Sequence, residues 1–344
     1  MKRNRKIIVG VVILAFIIAA FFIIKNLTVT KYGEINPGIA MNLQIDRIFN
    51  SGAINSKSIE ENREKINRES TKLSKEAIPF LNIKDTNVEV NSDKIPVRIY
   101  TPEKGESLPV IIYSHGGSWI AGNLDTHDKV CRKLSNNTKA IVISVDYRLA
   151  PENPFPAGVN DVYNVLEWAS KNAKSINGNE ELISVVGDSA GGNISAVISQ
   201  MSRDKNGPRI ACQVLIYPST NIYELNTASW SYFANDFNIS AEEMEQYISL
   251  YIPKKEDRKS PYASPLLAKD FRNLPDALVV TAEIDPLRDE GEDYGNKLKE
   301  AGNNVRVTRV DGVTHGFITM DKATDKADEA LNEVYSYIQN EFEK

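Results

Sequence analysis

The chain has 344 residues, of which 42% are hydrophobic and 25% charged, a composition that excludes global disorder and allows one large hydrophobic core. The net charge is -5, but residues 1–25 carry five basic side chains and no acidic one, so the remainder carries 36 basic against 46 acidic residues. This acidic body argues against nucleic acid as a partner, because binding phosphates requires clustered Lys and Arg.

The first predicted element is an apolar span near the N-terminus. Residues 7–24 form an uncharged run that would extend roughly 27 Å as a helix, close to the thickness of a bilayer core. The preceding basic cluster, residues 2–6, favours a cytoplasmic N-terminus. We therefore expect residues 1–25 to be a single-pass membrane anchor with the rest of the chain outside the cytoplasm. The alternative is secretion after cleavage of a signal peptide, although the run is long for one and no clear cleavage site follows.

Residues 26–85 are predicted to form a linker followed by helices. An amphipathic stretch opens at Pro37, and the highly charged residues 57–77 are typical of a solvated helix. From Val88 to Tyr100, alternating apolar residues flank a polar turn, which predicts a β-hairpin.

Further along the chain, strands and helices are predicted to alternate. Short apolar runs typical of strands buried on both faces lie at residues 110–113, 141–145, 183–186, 214–217, 277–281 and 305–310. Helical patterns lie at residues 158–172, 190–203, 286–301 and 322–342. This alternation predicts an α/β fold with a mainly parallel sheet covered by helices on both sides. Residues 219–260, rich in aromatic and acidic side chains, interrupt the alternation and are predicted to be a helical insertion.

A candidate nucleophile lies between the strand at 183–186 and the helix that starts at Ala190. The sequence there is Gly-Asp-Ser-Ala-Gly, with Ser189 in the centre. A sharp strand-to-helix turn of this kind strains the serine backbone and exposes its hydroxyl, while Gly187 and Gly191 allow neighbouring backbone to approach closely. The alternative is a chance glycine turn, which the strand–turn–helix context disfavours. We predict that Ser189 is the nucleophile.

The serine needs a general base and an acid that orients the base. His315 follows the last predicted strand, and Asp285 follows the strand at 277–281. The order Ser189, Asp285, His315 is that of α/β-hydrolases, so we predict these three as the catalytic triad. Three weaker candidates for the acid lie nearby: Asp289, Glu290 and Asp311.

An oxyanion hole is predicted from His115-Gly116-Gly117-Ser118-Trp119, directly after the strand at 110–113. Consecutive glycines at a strand end can turn their N–H groups towards one point. Together with the first N–H of the helix after the nucleophile, the predicted donors are Gly116, Gly117 and Ala190. His115 is expected to brace this loop through hydrogen bonds.

The remaining histidine and the two cysteines suggest no further chemistry. His127 has no motif context and is interpreted as a surface or helix-capping residue. Cys131 and Cys212 lie far apart in the sequence and are expected to be buried free thiols. With three histidines in all, we predict neither a metal site nor an organic cofactor.

Taken together, these motifs resemble those of the hormone-sensitive-lipase-like esterases, a family with many bacterial members. The resemblance is carried by residues 115–119, 146–152, 187–192, 285–290 and 315–317. It implies an α/β-hydrolase domain over residues 86–344, with a helical cap built from the segment before residue 85 and from the insertion 219–260. One departure is Ser118 at the fourth position of the glycine motif. The family's donors are usually the second and third positions, so the resemblance implies an intact oxyanion hole and an altered substrate preference.

The resemblance also implies an activity. We predict a serine carboxylesterase that hydrolyses small esters with short to medium acyl chains through an acyl-enzyme. An N-terminal anchor before the same core is similar to arylacetamide deacetylase-like enzymes. An amidase or deacetylase would use the same residues, and a non-catalytic ligand-binding protein of this fold is the alternative from another class. The sequence leaves open whether the chain is a monomer or a dimer.

Overall fold

A computed structural model of the chain describes residues 24–49, 58–80, 82–90, 93–234, 237 and 240–344. The anchor predicted over residues 1–25 lies outside these ranges except for its last two residues. Within them, no helix is both long enough and apolar enough to cross a membrane.

An eight-stranded sheet forms the centre of the molecule. Its strands are β3 (Asn82–Val90), β4 (Asp93–Thr101), β5 (Leu108–Ser114), β6 (Ile141–Val145), β7 (Gly178–Asp188), β8 (Cys212–Ile216), β9 (Asp276–Ile284) and β10 (Val305–Thr314). The spatial order is β10-β9-β8-β7-β5-β6-β4-β3. From β6 to β10 all neighbours pair in parallel, whereas β4 pairs antiparallel with both β3 and β6. Two short strands, β1 (Val29–Thr30) and β2 (Gly33–Glu34), form a separate antiparallel pair.

Helices cover both faces of this sheet and extend beyond its edge. They are α1 (Pro37–Phe49), α2 (Ile59–Lys72), α3 (Asp128–Thr138), α4 (Ala157–Asn172), α5 (Ala190–Asp204), α6 (Ala228–Phe233), α7 (Ala241–Tyr251), α8 (Arg288–Glu300) and α9 (Lys326–Phe342). Strand β5 shows why both faces must be covered. Val110 and Ile112 belong to one core cluster, Ile111 and Tyr113 to another, and all four are fully buried. The central apolar runs are therefore buried on both faces, as parallel strands require.

The predicted fold is confirmed: a central, mostly parallel sheet is flanked by helices. All six predicted strands and the hairpin are present, although β7 and β10 extend several residues beyond their apolar runs. Helix α3 was not predicted, because its sequence contains poor helix formers such as Asn136 and Asn137 and is stabilised by packing of its buried face. The segment between β8 and β9 is longer than the predicted insertion 219–260, since β9 begins only at Asp276.

The two cysteines lie in the core. Cys131 on α3 and Cys212 on β8 are both buried and unpaired, as expected for free thiols. Burial raises the pKa of both thiols above their ordinary value, which makes them poor nucleophiles. Among the described residues, no group of three or more His, Cys, Asp or Glu side chains is arranged to hold a metal ion.

Candidate active site

Ser189 occupies a strained turn between β7 and α5. Its backbone has φ 56° and ψ -119°, a region that side-chain-bearing residues rarely adopt. The surroundings hold this conformation, since the Ser189 N–H donates to the carbonyl of Ile216 at 2.9 Å. A Cβ at Gly191 would collide with the carbonyl oxygen of Ser114, so only glycine lets α5 start this close to β5. The turn is therefore built as a nucleophile elbow.

The structure brings the three predicted triad residues together at the carboxyl ends of three strands. The His315 Nε2 atom lies 2.9 Å from Ser189 Oγ, and its Nδ1 atom lies 2.7 Å from Asp285 Oδ2. Asp285 is fully buried and also accepts the N–H of Leu287 at 2.9 Å. A carboxylate can only accept, so Nδ1 carries the imidazole proton and Nε2 is left to accept the hydroxyl proton of Ser189.

None of the three alternative carboxylates takes the place of Asp285. Asp289 accepts the N–H of Ser229 and pairs with Arg288. Glu290 is fully buried, but it faces the loop after β8. Asp311 is exposed on β10.

The loop after β5 turns sharply and leaves backbone donors open. Gly117, Ser118 and Trp119 have φ values of 132°, 54° and 61°, and the Gly117 carbonyl accepts the N–H groups of Ile120 and Ala121 at 3.1 and 2.9 Å. Within the described chain, the N–H groups of Gly117, Ser118 and Ala190 have no acceptor. Three donors are thus available beside the elbow, at the loop and at the start of α5.

The prediction of Gly116 as an oxyanion donor is wrong. Its N–H donates to Asp188 Oδ1 at 3.0 Å, and a carboxylate is a stronger acceptor than an ester carbonyl. The loop turns only after this hydrogen bond, at Gly117. Of the three predicted donors, Gly117 and Ala190 remain available, and Ser118 takes the place of Gly116.

The other two histidines lie under the loop. His115 braces it as predicted: its Nδ1 atom donates to the Gly116 carbonyl at 2.9 Å, and its ring stacks on Tyr147 at 4.3 Å. Burial, together with the nearby His127, lowers the pKa of His115 to about 4. The interpretation of His127 as a surface residue is wrong, because it is buried and its Nε2 atom lies 3.2 Å from Asp188 Oδ2. It does occupy the N-cap position of α3, as the alternative interpretation had it, but its side chain makes no capping hydrogen bond. No spacing pattern in the sequence links His127 to Asp188.

Both segments predicted as a cap contact the end of this loop. Arg63 on α2 donates from Nε to the Ile120 carbonyl at 2.6 Å. From α7, the ring of Tyr251 stacks on Trp119 at 4.8 Å with an interplanar angle of 3°. The two segments therefore pack against the residues that end the oxyanion loop. The domain boundaries themselves stay a prediction.

Comparison with known proteins places this geometry in a wider group. Residues 111–319 match the family described as alpha/beta hydrolase fold. The chain is 39% identical over 264 residues to the carboxylesterase NlhH of Mycobacterium tuberculosis, a match that covers 75% of this chain and 82% of the relative. It is 38% identical over 241 residues to an arylesterase of Saccharolobus solfataricus, covering 70% and 78%.

Solved structures show the same similarity. A hyperthermophilic esterase from Pyrobaculum calidifontis superposes with a TM-score of 0.81 at 37% identity, covering 87% of this chain and 97% of that one. An alpha/beta hydrolase from the metagenome of Lake Arreo superposes with a TM-score of 0.85 at 33% identity, covering 90% and 99%. The similarity thus extends through the sheet and most of the helices around it.

Proposed function

The chain belongs to the alpha/beta hydrolase fold family, and from this premise we propose that it is a serine carboxylesterase acting through an acyl-enzyme. The observation that carries the proposal is the hydrogen-bonded series from Ser189 through His315 to Asp285, with distances of 2.9 and 2.7 Å. Neighbouring donors suited to an oxyanion, and relatives named as carboxylesterases, support the same reaction.

Acylation comes first. His315 Nε2 takes the hydroxyl proton while Ser189 Oγ attacks the ester carbonyl, and the carbonyl oxygen becomes an oxyanion. The N–H groups of Gly117, Ser118 and Ala190 stabilise that charge. Asp285 stabilises the imidazolium and fixes its orientation. His315 then gives its proton to the leaving alcohol, and the acyl group stays on Ser189.

Deacylation repeats these roles with water. His315 Nε2 removes a proton from water, the resulting hydroxide attacks the acyl carbonyl, and the same donors hold the second oxyanion. Collapse of this intermediate releases the carboxylic acid as the proton returns to Ser189 Oγ. The balance needs only ester and water, so the proposed reaction uses no metal or organic cofactor.

Short to medium acyl chains are the proposed substrates. Helices α2 and α7 contact the end of the oxyanion loop, and Ser189 and His315 are at most 9% exposed. A site covered in this way limits the length of chain that it accepts. Rates measured on p-nitrophenyl esters of increasing acyl length should fall beyond the medium chains, whereas a rate that rises up to long chains would contradict this preference.

The test of the reaction is Ser189→Ala. We expect the variant to lose turnover of p-nitrophenyl acetate and butyrate, and a fluorophosphonate probe to label the wild type at Ser189 and leave the variant unlabelled. Ser199→Ala is the matched control, because that side chain lies on α5, the helix that follows Ser189, and donates to the Ser195 carbonyl at 2.8 Å. Wild-type turnover by Ser189→Ala would contradict the proposal.

We also propose that the enzyme is anchored in the cell membrane with its catalytic domain outside the cytoplasm. The apolar run and its basic flank support this topology. So does the surface that follows the run: of the six large hydrophobic side chains exposed in the described chain, four lie in residues 24–45. They are Ile24, Val29, Met41 and Ile45. An apolar surface next to a membrane span is suited to the bilayer interface.

Protease treatment of intact cells tests this topology. The catalytic domain should be degraded when protease is added outside, while a cytoplasmic marker protein stays intact. Complete protection of the domain would overturn the proposed orientation. Recovery of a shortened, membrane-free protein from the medium would instead support secretion after signal cleavage.

A further inference from the structure

The side chain of Asp188 points away from the substrate side of the elbow and into the core. It accepts three hydrogen bonds, from the Tyr113 hydroxyl at 2.8 Å, the Gly116 N–H at 3.0 Å and His127 Nε2 at 3.2 Å. The donors come from β5, the oxyanion loop and the start of α3. One carboxylate, adjacent in sequence to the nucleophile, therefore joins three separate segments.

Asp188 and His127 form a buried hydrogen-bonded pair. Both residues are only 3% exposed. Burial raises the pKa of Asp188, but His127 and Tyr113 outweigh burial and hold that pKa below its ordinary value. Asp188 is thus an acceptor, and His127 Nε2 donates to it. The other ring nitrogen of His127, Nδ1, lies 2.9 Å from the Thr126 hydroxyl oxygen.

This pair acts on the oxyanion loop through the Gly116 N–H. The Asp188 carboxylate accepts that N–H, and the chain turns at the next residue, so the hydrogen bond fixes the point from which Gly117 and Ser118 present their N–H groups. Tyr113 and His127 in turn hold the carboxylate in place through their own hydrogen bonds to it.

We propose that Asp188 and His127 are positioning residues for the reaction, whose hydrogen-bonded pair orients the oxyanion loop. This inference rests on the proposed esterase function. Neither residue touches substrate; both act through the N–H groups of Gly117 and Ser118.

Asp188→Asn and His127→Gln are the variants that test the pair. Asparagine keeps an oxygen for Tyr113 and Gly116 but loses the acceptor for His127, and glutamine keeps an N–H donor but loses the rigid imidazole ring. Asp161→Asn is the matched control, because Asp161 is an equally buried carboxylate paired with Arg148. Each variant is prepared as the full chain in detergent, and its active sites are counted with a fluorophosphonate.

The readout separates positioning from folding. For each active site, we expect kcat on p-nitrophenyl butyrate to fall about 100-fold in Asp188→Asn and at least about tenfold in His127→Gln, with KM within about twofold of the wild type. The affinity of a trifluoromethyl ketone, which forms an oxyanion on Ser189, should weaken in parallel. Binding of the matching methyl ketone should not change. The double variant should be no worse than Asp188→Asn, because the two residues act as one unit.

Two results overturn the proposal. In the first, Asp188→Asn and His127→Gln lose thermal stability, as Asp161→Asn is expected to do, but nothing else changes. Their kcat per active site and their affinity for the trifluoromethyl ketone then stay within about twofold of the wild type. If Asp188→Asn does not fold, the same comparison on His127→Gln decides. The other is a wild type that neither hydrolyses the ester nor binds the trifluoromethyl ketone, which would refute the proposed function and this inference with it.

Discussion

At the residue level, the three histidines differ in role because their partners differ. His115 donates to a carbonyl and is neutral, since burial beside His127 lowers its pKa to about 4. His127 donates from Nε2 to the Asp188 carboxylate. His315 has a carboxylate on one nitrogen and a serine hydroxyl on the other. Only this last arrangement suits a general base that must gain and return a proton.

The Asp285→Asn variant tests how far the base depends on its carboxylate. Asparagine at this buried position has the same shape and can present its N–H₂ group to His315 Nδ1, which would place the imidazole proton on Nε2 and block proton uptake from Ser189. By analogy with the corresponding substitution in serine proteases, we expect kcat to fall by roughly 10⁴ with little change in the fold. Steady-state rates and circular dichroism measure the two effects. Asp289→Asn is the control, and an equal loss there would contradict the assignment of the acid.

A substitution at Gly117 tests the oxyanion loop. Its φ of 132° is open to glycine alone, and a Cβ there would collide with the Ala121 carbonyl. In Gly117→Ala the loop must shift, so we expect kcat on p-nitrophenyl butyrate to fall by about 10²–10³, the typical effect of losing one oxyanion donor. The matched control is Gly302→Ala, where φ is also positive at 91° but no atom lies within 4 Å of the added Cβ. Equal losses of activity in both variants would contradict a specific role for the loop.

The sequence was informative where a function requires a fixed residue type in a fixed order. Ser189, Asp285 and His315 could be selected because a nucleophile, an acid and a base each follow a strand. The direction of a backbone N–H has no such signal in the sequence. The motif therefore predicts Gly116 as an oxyanion donor, although its N–H donates to Asp188. The contact of His127 has no sequence signal either, because its partner Asp188 is 61 residues away in the sequence.

At the level of elements, Glu290 joins α8 to the segment after β8 and to α6. This fully buried carboxyl group accepts the Thr220 N–H at 2.8 Å, the Asn221 N–H at 3.2 Å and the Trp230 Nε1–H at 3.0 Å. Burial raises the pKa of Glu290 to about 7, although these donors oppose the shift. The stability of the contact between Glu290 and α6 therefore depends on pH.

The sign of this coupling follows from the two pKa values. In the unfolded chain the carboxyl group has its ordinary pKa of 4.5, and in the folded protein about 7, so the folded state binds more protons between these values. The contribution of Glu290 to the free energy of unfolding is greatest below pH 4.5. It falls by about 3 kcal/mol as the pH rises to 7. In Glu290→Gln this dependence should disappear. Urea unfolding of both proteins across this pH range measures it, and parallel stability curves would contradict the prediction.

The elements also show which parts of a fold a sequence can predict. Strands β5 and β6 are buried on both faces, so their apolar runs indicated them directly. Strand β10 lies at the edge of the sheet and is exposed or half-buried along most of its length. Its last four residues, 311–314, do not continue the apolar run, so the sequence does not predict them as strand. Helix α3 depends on packing of one buried face, which local propensity does not reveal.

At the level of the whole molecule, the topology brings distant segments to one site. Strands β5, β7, β9 and β10 run parallel, so the residues that follow them meet at the same edge of the sheet. The oxyanion loop, the nucleophile, the acid and the base each follow one of these strands. Ligands bind at this carboxyl edge in open α/β sheets, and the helices α2 and α7 contact the oxyanion loop there.

Residues that follow the apolar run contact this body. Thr28 and Ile35 are buried, and the N–H groups of Ile35 and Asn36 donate to the carbonyls of Thr28 and Gly312, both at 2.8 Å. A chain that starts at Ile24 keeps these contacts. A truncation at this residue therefore tests the proposed anchor separately from the catalytic body.

We expect this truncated protein, residues 24–344, to hydrolyse p-nitrophenyl butyrate with a kcat within about twofold of the full chain, because the triad and the oxyanion loop lie in the body. Its location should change instead: the full chain should sediment with membranes after cell lysis and resist extraction by high salt, which screens charge but does not weaken an apolar span. The truncated protein should stay in the supernatant or be released by salt. A full chain that salt extracts would contradict the anchor, and a truncated chain without activity would show that residues 1–23 support the fold.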